Sequence, residues 1–260
     1  MMVSQGTSAI ACNLLILGGT SEASALAQAV AAHGLPATLS YAGRVARPKA
    51  QPIPQRVGGF GGVAGLAGYL RDERVTHLID ATHPFAAQIS RNAVEACRQA
   101  EVPLVALTRP PWRPQEGDRW LEVPDIPAAV ASLAGPPRRV MLALGRLQLA
   151  AFAGQPQHRY LLRVVDIPET PPPLPDHSLV VSRGPFTPAE DEALMRQHRI
   201  ETLVCKNAGG SGAHAKLEAA RVLGLPVVMI ARPTMPARRE VTSLEALFDW
   251  LSHSDADLGV

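Results

Sequence analysis

The chain has 260 residues, 47% of them hydrophobic and 18% charged, enough for one large domain or two small ones with ample core. A net charge of +2 argues against a nucleic-acid partner. Cys12, Cys97 and Cys205 are widely spaced without a C-x-x-C pair, which argues against a disulfide framework or a zinc knuckle. No apolar run is long enough to span a bilayer, and Met1 to Asn13 carries no basic n-region, so a cytoplasmic protein without a membrane partner is expected.

Leu14 to Leu17 is an apolar run of strand length, Gly18-Gly19-Thr20 is a turn signal, and Ser21 to Ala32 has the pattern of an alanine-rich helix. Such a strand, turn and helix offers main-chain N–H groups and the positive end of a dipole to a phosphate, although the full G-x-G-x-x-G fingerprint is absent. An ordinary tight connection fits the same residues. Pro36 to Ser40 reads as the next strand, making a β-α-β unit and predicting a parallel sheet. Where an acidic residue would hold a ribose 2′-hydroxyl, the chain has Ser40-Tyr41-Ala42-Gly43-Arg44, and Ser40 with Arg44 suits a 2′-phosphate. Plain loop residues are the alternative.

Ala46 to Pro54 reads as a loop, and Gly58-Gly59-Phe60-Gly61-Gly62 as a segment that permits close approach of a flat ligand or a flexible hairpin. A helix from Val63 to Arg71 and a buried strand from Val75 follow, the strand ending in Asp80-Ala81-Thr82-His83-Pro84-Phe85. Ligands of open α/β sheets bind beyond the carboxyl ends of strands, which suits this cluster to chemistry. Ala86 to Ala100 is helical, Pro103 to Leu107 a strand, and Thr108-Arg109-Pro110-Pro111-Trp112-Arg113 a rigid loop.

After a short strand and a helix from Ile126 to Leu133, Gly135-Pro136-Pro137 reads as a linker, predicting domains 1–135 and 136–260. The pattern then restarts. It gives a strand from Val140 to Leu144, a turn at Gly145-Arg146, a helix to Phe152, and strands Tyr160 to Val165 and Leu179 to Val181. Ser182-Arg183-Gly184-Pro185-Phe186, a helix from Pro188 to His198, and Lys206-Asn207-Ala208-Gly209-Gly210 before a further helix complete it. The last loop is a second anion cradle in composition but not a Walker A loop.

An internal repeat supports two similar lobes. Val94 to Pro110 aligns without gaps on Leu217 to Pro233, sharing Glu95/Glu218, Arg98/Arg221, Pro103/Pro226 and the exits Arg109-Pro110/Arg232-Pro233. Asp80 to Pro84 then corresponds to Lys206 to Gly210, and these strand ends are expected to border a cleft. No G-x-S-x-G elbow or H-E-x-x-H motif is present, which leaves a nucleotide cofactor and an anionic second substrate as the fitting chemistry.

Taken together, LLILGGTSEA, SYAGR, GGFGG, DATHPFA, TRPPW, SRGPF, KNAGG and the final ARP resemble the precorrin-6A reductase family of corrin biosynthesis, from about Leu14 to Leu251. Ala208 departs from the serine more usual there. The resemblance implies an α/β fold of two Rossmann-like lobes with parallel sheets, the active site lying in the cleft between them. It also implies hydride transfer from NADPH to a double bond of a tetrapyrrole, precorrin-6A, giving precorrin-6B. Candidate cofactor contacts are Gly18, Gly19, Thr20, Ser40, Arg44, Ser182, Arg183, Lys206, Asn207, Gly209 and Gly210. Gly59, Phe60, Gly61, Phe85, Arg109, Arg113 and Arg146 are candidates for the macrocycle and its carboxylates, while His83, Asp80 and Thr82 are candidates for the proton route. Two alternatives stay open: another NADP-dependent Rossmann enzyme, which lacks its Tyr-x-x-x-Lys pair here, and a two-lobed binding protein. The choice between metal-free and cobalt-bound substrate, and between monomer and dimer, is open as well.

Overall fold

The computed structural model describes residues 12–42, 50–164, 168, 170–182 and 184–257. Arg44 and Arg183, two of the expected anion contacts, lie outside the described residues. The chain divides into two compact units, one of Met1–Arg109 with Thr234–Val260 and the other of Pro110–Pro233.

The first unit runs β1 (Leu14–Leu17), α1 (Ser21–Ala32), β2 (Ala37–Tyr41), β3 (Gln55–Val57), α2 (Gly62–Asp72), β4 (His77–Asp80), α3 (Ala87–Ala100) and β5 (Leu104–Leu107). The second runs β6 (Arg119–Val123), α4 (Ile126–Ala131), β7 (Arg139–Ala143), β8 (Arg159–Val164), β9 (His177–Val181), α5 (Pro188–Gln197), β10 (Thr202–Lys206), α6 (Ala215–Val222) and β11 (Pro226–Ile230). The chain then returns to the first unit as β12 (Arg239–Val241) and α7 (Leu244–Asp257).

Each unit is built on a six-stranded sheet, ordered β12-β5-β4-β1-β2-β3 in the first and β6-β11-β10-β7-β8-β9 in the second. Every pairing among the described residues is parallel. Strands covered on both faces need apolar residues at odd and even positions alike, and β1 shows how they are used. Leu14 and Ile16 pack with Leu26 and Val30 of α1 and Leu247 and Trp250 of α7, whereas Leu15 and Leu17 pack with Leu66 and Leu70 of α2 and Ala93 and Ala96 of α3. In the second unit Met141, Leu161, Leu203, Cys205 and Met229 pack with Met195 of α5 and Leu217 and Ala220 of α6.

The sixth strand of each sheet has an instructive origin. β6 follows β5 in sequence yet pairs with β11, and β12 follows β11 yet pairs with β5. Each Arg-Pro exit found in the repeat therefore sends the chain out of one sheet and its next strand into the other. The returning elements match too. Glu122-Val123 and Glu240-Val241 end the two edge strands, and Asp125 and Ser243 then cap the following helices, accepting from Ala128 N at 2.8 Å and Ala246 N at 3.2 Å.

This exchange corrects the expected domain boundary. The units divide at 109/110 and 233/234, and Gly135-Pro136-Pro137 is only the connection from α4 to β7 inside the second unit. The helix expected up to Phe152 is instead a run of 3-10 turns over Arg146–Gly154. Residues three apart eclipse in that geometry, which lets Leu149 and Phe152 both be buried. Tyr160 holds the end of the run by donating to the carbonyls of Phe152 and Gln155 at 3.1 and 2.9 Å.

Candidate active site

In the first unit the chain moves from β1 outward through β2 and β3, then restarts on the other side of β1 with β4. That reversal leaves a crevice beyond the carboxyl ends of β1 and β4, where Leu17 is in register with Asp80. The two loops leaving these strands are tied together there. Thr20 caps α1, accepting from Ala23 N at 3.1 Å, and donates its hydroxyl proton to the Ala81 carbonyl at 2.7 Å. The Thr20 side chain is thus occupied with positioning the two loops.

Two glycines make that turn possible for different reasons. A Cβ at Gly18 would stand 2.6 Å from Leu39 Cδ1, so packing excludes a side chain. Gly19 has a φ of +117°, and a Cβ there would meet no atom within 4 Å, so its main chain faces open space. Glu22, whose charge would repel an anion at the helix start, is paired with Arg109 at 3.1 Å. Arg109, expected on a substrate carboxylate, therefore serves this helix end.

Asp80 is buried, its side chain 2% exposed. Its Oδ1 accepts from Thr82 N at 3.1 Å and from Thr82 Oγ1 at 2.6 Å, and its Oδ2 from Arg238 Nη1 at 2.6 Å. These bonds make Asp80 and Thr82 holders of the loop. His83, half-buried, accepts from Phe85 N at 3.2 Å through Nδ1, and its ring lies 5.9 Å from that of Phe85. With Nδ1 an acceptor, a neutral His83 carries its proton on Nε2.

At the end of β2, Ser40 is buried and its Oγ accepts from Arg56 Nη1 at 2.8 Å. Sequence reasoning missed Arg56, which the parallel register of β2 and β3 sets directly beside Ser40. The same guanidinium donates to the carbonyls of Gly58 and Gly59 and lies 3.8 Å from the Phe60 ring centroid. Phe60 and Gly59, expected against the macrocycle, are in this way drawn to the arginine. Gly61 has a φ of +78° and forms the N-cap of α2, and a Cβ at Gly65 would overlap the Phe60 carbonyl.

The corresponding crevice of the second unit lies beyond β7 and β10, where Ala143 is in register with Cys205. Lys206 ends β10 half-buried, but the residues after it are used internally. Asn207 accepts from Trp112 N at 2.7 Å and donates to Trp112 O at 2.9 Å, and the Trp112 indole donates to the Gly210 carbonyl at 2.8 Å. Arg232 donates to the carbonyls of Asn207 and Ala208, both at 3.0 Å. Gly209 has a φ of +70°, and a Cβ there would overlap the Pro110 carbonyl and the Arg232 guanidinium. The loop read as a phosphate cradle also clasps the segment around Trp112.

Beside the clasp is a cleft of about 580 Å³ lined by Trp112, Arg113, Gly210, Ser211 and His214. Arg113 and Arg146 are exposed, and Ser182, half-buried, follows the edge strand β9. The expected cofactor contacts thus split: Gly18, Gly19, Thr20 and Ser40 belong to the first unit, and Ser182, Lys206, Asn207, Gly209 and Gly210 to the second. A smaller cavity of about 180 Å³ behind β7 is lined by Lys216, Phe186 and the buried pair Arg163 and Asp191, which sequence reasoning also missed.

Burial pushes the Cys97 thiol up to about 12 and the Cys205 thiol up to about 11, so neither is a thiolate at neutral pH. Among the described residues no group of His, Cys, Asp and Glu is placed to hold a metal ion, and no helix is long and apolar enough to cross a membrane.

Comparison with known proteins identifies the family. The family model described as precorrin-6x reductase CbiJ/CobK matches residues 13–252. A precorrin-6A reductase of Rhodobacter capsulatus is 57% identical over 94% of this chain and 97% of its own length, and one of a Sinorhizobium species is 45% identical over 92% and 94%. A cobalt-precorrin-6A reductase of Salmonella typhimurium is 30% identical over 85% and 88%. The solved structure of a CobK precorrin-6A reductase superposes with a TM-score of 0.89 at 57% identity, covering 94% of this chain and 97% of that one. Two parallel six-stranded α/β units, a glycine turn at the switch point of the first and a match along nearly the whole length make this chain a member of the precorrin-6x reductase family.

Proposed function

We propose that the protein reduces one double bond of metal-free precorrin-6A to give precorrin-6B, with NADPH as the reductant, bound by the first unit. The observation that carries the cofactor's position is the start of α1, where Gly19 leaves its main chain open above the helix terminus and Arg109 neutralises Glu22. When bound, NADPH supplies the hydride, which accounts for a site without an activated nucleophile. The main-chain N–H groups of Ser21 and Glu22 at the start of α1 suit a pyrophosphate. Thr20, Asp80 and Arg238 hold the two loops that flank it. The clasp role of Asn207 and Gly209 leaves the second unit less suited to that part of the cofactor. Its Lys206, Arg113 and Arg146 have the charge to hold the substrate's carboxylates. The preference for a metal-free substrate rests on the higher identity to precorrin-6A reductases, 45% and 57%, than to the cobalt-precorrin relative at 30%.

The test is an anaerobic assay with precorrin-6A, comparing NADPH with NADH and following cofactor oxidation together with the macrocycle spectrum. Both signals are expected to change with NADPH and far less with NADH. No change with precorrin-6A alongside turnover of the cobalt-bound substrate would reassign the substrate. In the same assay His83, whose Nε2 proton is the best-placed donor of the switch-point loop, is expected to lower kcat by about 10²- to 10⁴-fold when replaced by alanine, with KM little changed. Unaltered kcat assigns the proton to solvent.

A further inference from the structure

We infer that Arg56 is the residue that reads the cofactor's 2′-phosphate, with its guanidinium preset by Ser40 and by the Phe60 ring. This rests on the proposal that NADPH binds the first unit, and it names a contact that neither the motifs nor their spacing indicated.

Gly18 N donates to the Ser40 carbonyl at 2.9 Å, so the end of β2 is one hydrogen bond from the glycine turn. In a nucleotide-binding α/β sheet this strand end lies under the adenosine ribose, and the group standing there decides between a 2′-hydroxyl and a 2′-phosphate. A carboxylate would select the hydroxyl. Ser40 occupies the position, and register brings Arg56 beside it from β3.

The bonding of Arg56 is that of a cation held ready. Its partners among the described residues are a hydroxyl, two carbonyls and the rings of Phe60 and Tyr69, the second 5.1 Å away, all neutral. Arg109 of the same unit holds the carboxylate of Glu22, and Arg238 holds those of Asp80 and Glu240. Nη1 is engaged by Ser40 and Gly58, and one Nη2 proton by Gly59 at 3.4 Å, while Nε has no protein partner among the described residues. A guanidinium has five N–H donors in a fixed fork, so Nε and the second Nη2 proton remain to meet two oxygens of a phosphate side by side. One face of its plane is against Phe60, and the opposite face suits the adenine ring. The glycines at 58, 59 and 61 then have a reason beyond flexibility, since they let the main chain fold back to hold the arginine and its ring.

The experiment is calorimetric titration of the full chain with 2′,5′-ADP and with 5′-AMP, which requires neither substrate nor turnover. The native protein is expected to bind 2′,5′-ADP more tightly than 5′-AMP, by a margin that narrows as salt is raised. Arg56→Gln keeps a donor for Ser40 but removes the charge. It is expected to weaken 2′,5′-ADP by about 30-fold or more while leaving 5′-AMP within about threefold of native. An undiminished preference in Arg56→Gln overturns the assignment of Arg56 and leaves the NADPH proposal standing. Absence of any preference in the native protein overturns both. Should Arg56→Gln bind neither nucleotide, Arg56→Lys decides. Intermediate preference with normal 5′-AMP binding supports the inference, and equal weakening of both ligands makes Arg56 a clamp for the glycine loop only.

Discussion

Replacing Arg238 by methionine is expected to cost about 3–5 kcal/mol of stability, the penalty for stranding one member of a buried ion pair. Arg238 Nη1 lies 2.6 Å from Asp80 Oδ2, and the two side chains are 10% and 2% exposed. The consequence reaches the site because Asp80 uses its other oxygen to hold the main chain and hydroxyl of Thr82. An uncompensated carboxylate would turn toward water or recruit a proton, and the loop leading to His83 would lose its anchor. Denaturant unfolding measures the first effect, and nucleotide affinity of the fraction still folded measures the second. A double variant, Arg238→Met with Asp80→Leu, is expected to recover most of the stability, since removing both charges also removes the desolvation penalty, but not the affinity. If the single variant unfolds like the native protein, the pair contributes little and Thr82 is held by the turn alone.

That pair also marks where the sequence stops being informative. Asp80 and Arg238 are 158 positions apart and meet only because β12 returns to pair with β5 after the whole second unit has been completed. β12 and β3 are three-residue strands bearing Arg239, Glu240, Gln55 and Arg56, with neither the alternation nor the apolar run that identifies a strand. By contrast β1, β4, β5, β7, β10 and β11 are legible because strands covered on both faces carry short apolar runs without polar alternation. The strand-end clusters at Gly18 and Asp80 were legible for the same reason, since a buried strand announces where its loop begins. Arg56 was not, because the place proposed for it depends on lateral register with Ser40 and not on distance along the chain. The linker signal at Gly135-Pro136-Pro137 misled since proline and glycine mark any tight connection, while the two crossings are made at Arg109-Pro110 and Arg232-Pro233, which look like ordinary strand exits.

Asn207→Ala is the second substitution with a large expected effect, about 2–6 kcal/mol, because both ends of one buried amide serve the Trp112 main chain. Truncation leaves the Trp112 N–H and carbonyl without that partner inside the protein, and each buried orphan costs about 1–3 kcal/mol. Asp would restore only the acceptor half, so Asn207→Asp should fall between native and alanine, and Asn207→Ser, too short for both bonds, should resemble alanine. The remaining ties, from the Trp112 indole to Gly210 and from Arg232 to the 207 and 208 carbonyls, should keep the second unit folded at low temperature while the segment carrying Arg113 loosens. Hydrogen exchange separates the two effects: faster exchange confined to residues near 110–115 and 207–212 identifies the clasp, whereas uniform acceleration through β7, β10 and β11 means the amide supports the whole unit. In the first case KM for the tetrapyrrole should rise with nucleotide affinity unchanged. A parallel loss of nucleotide affinity would return this loop to the cofactor site and displace the glycine turn of the first unit as its main anchor.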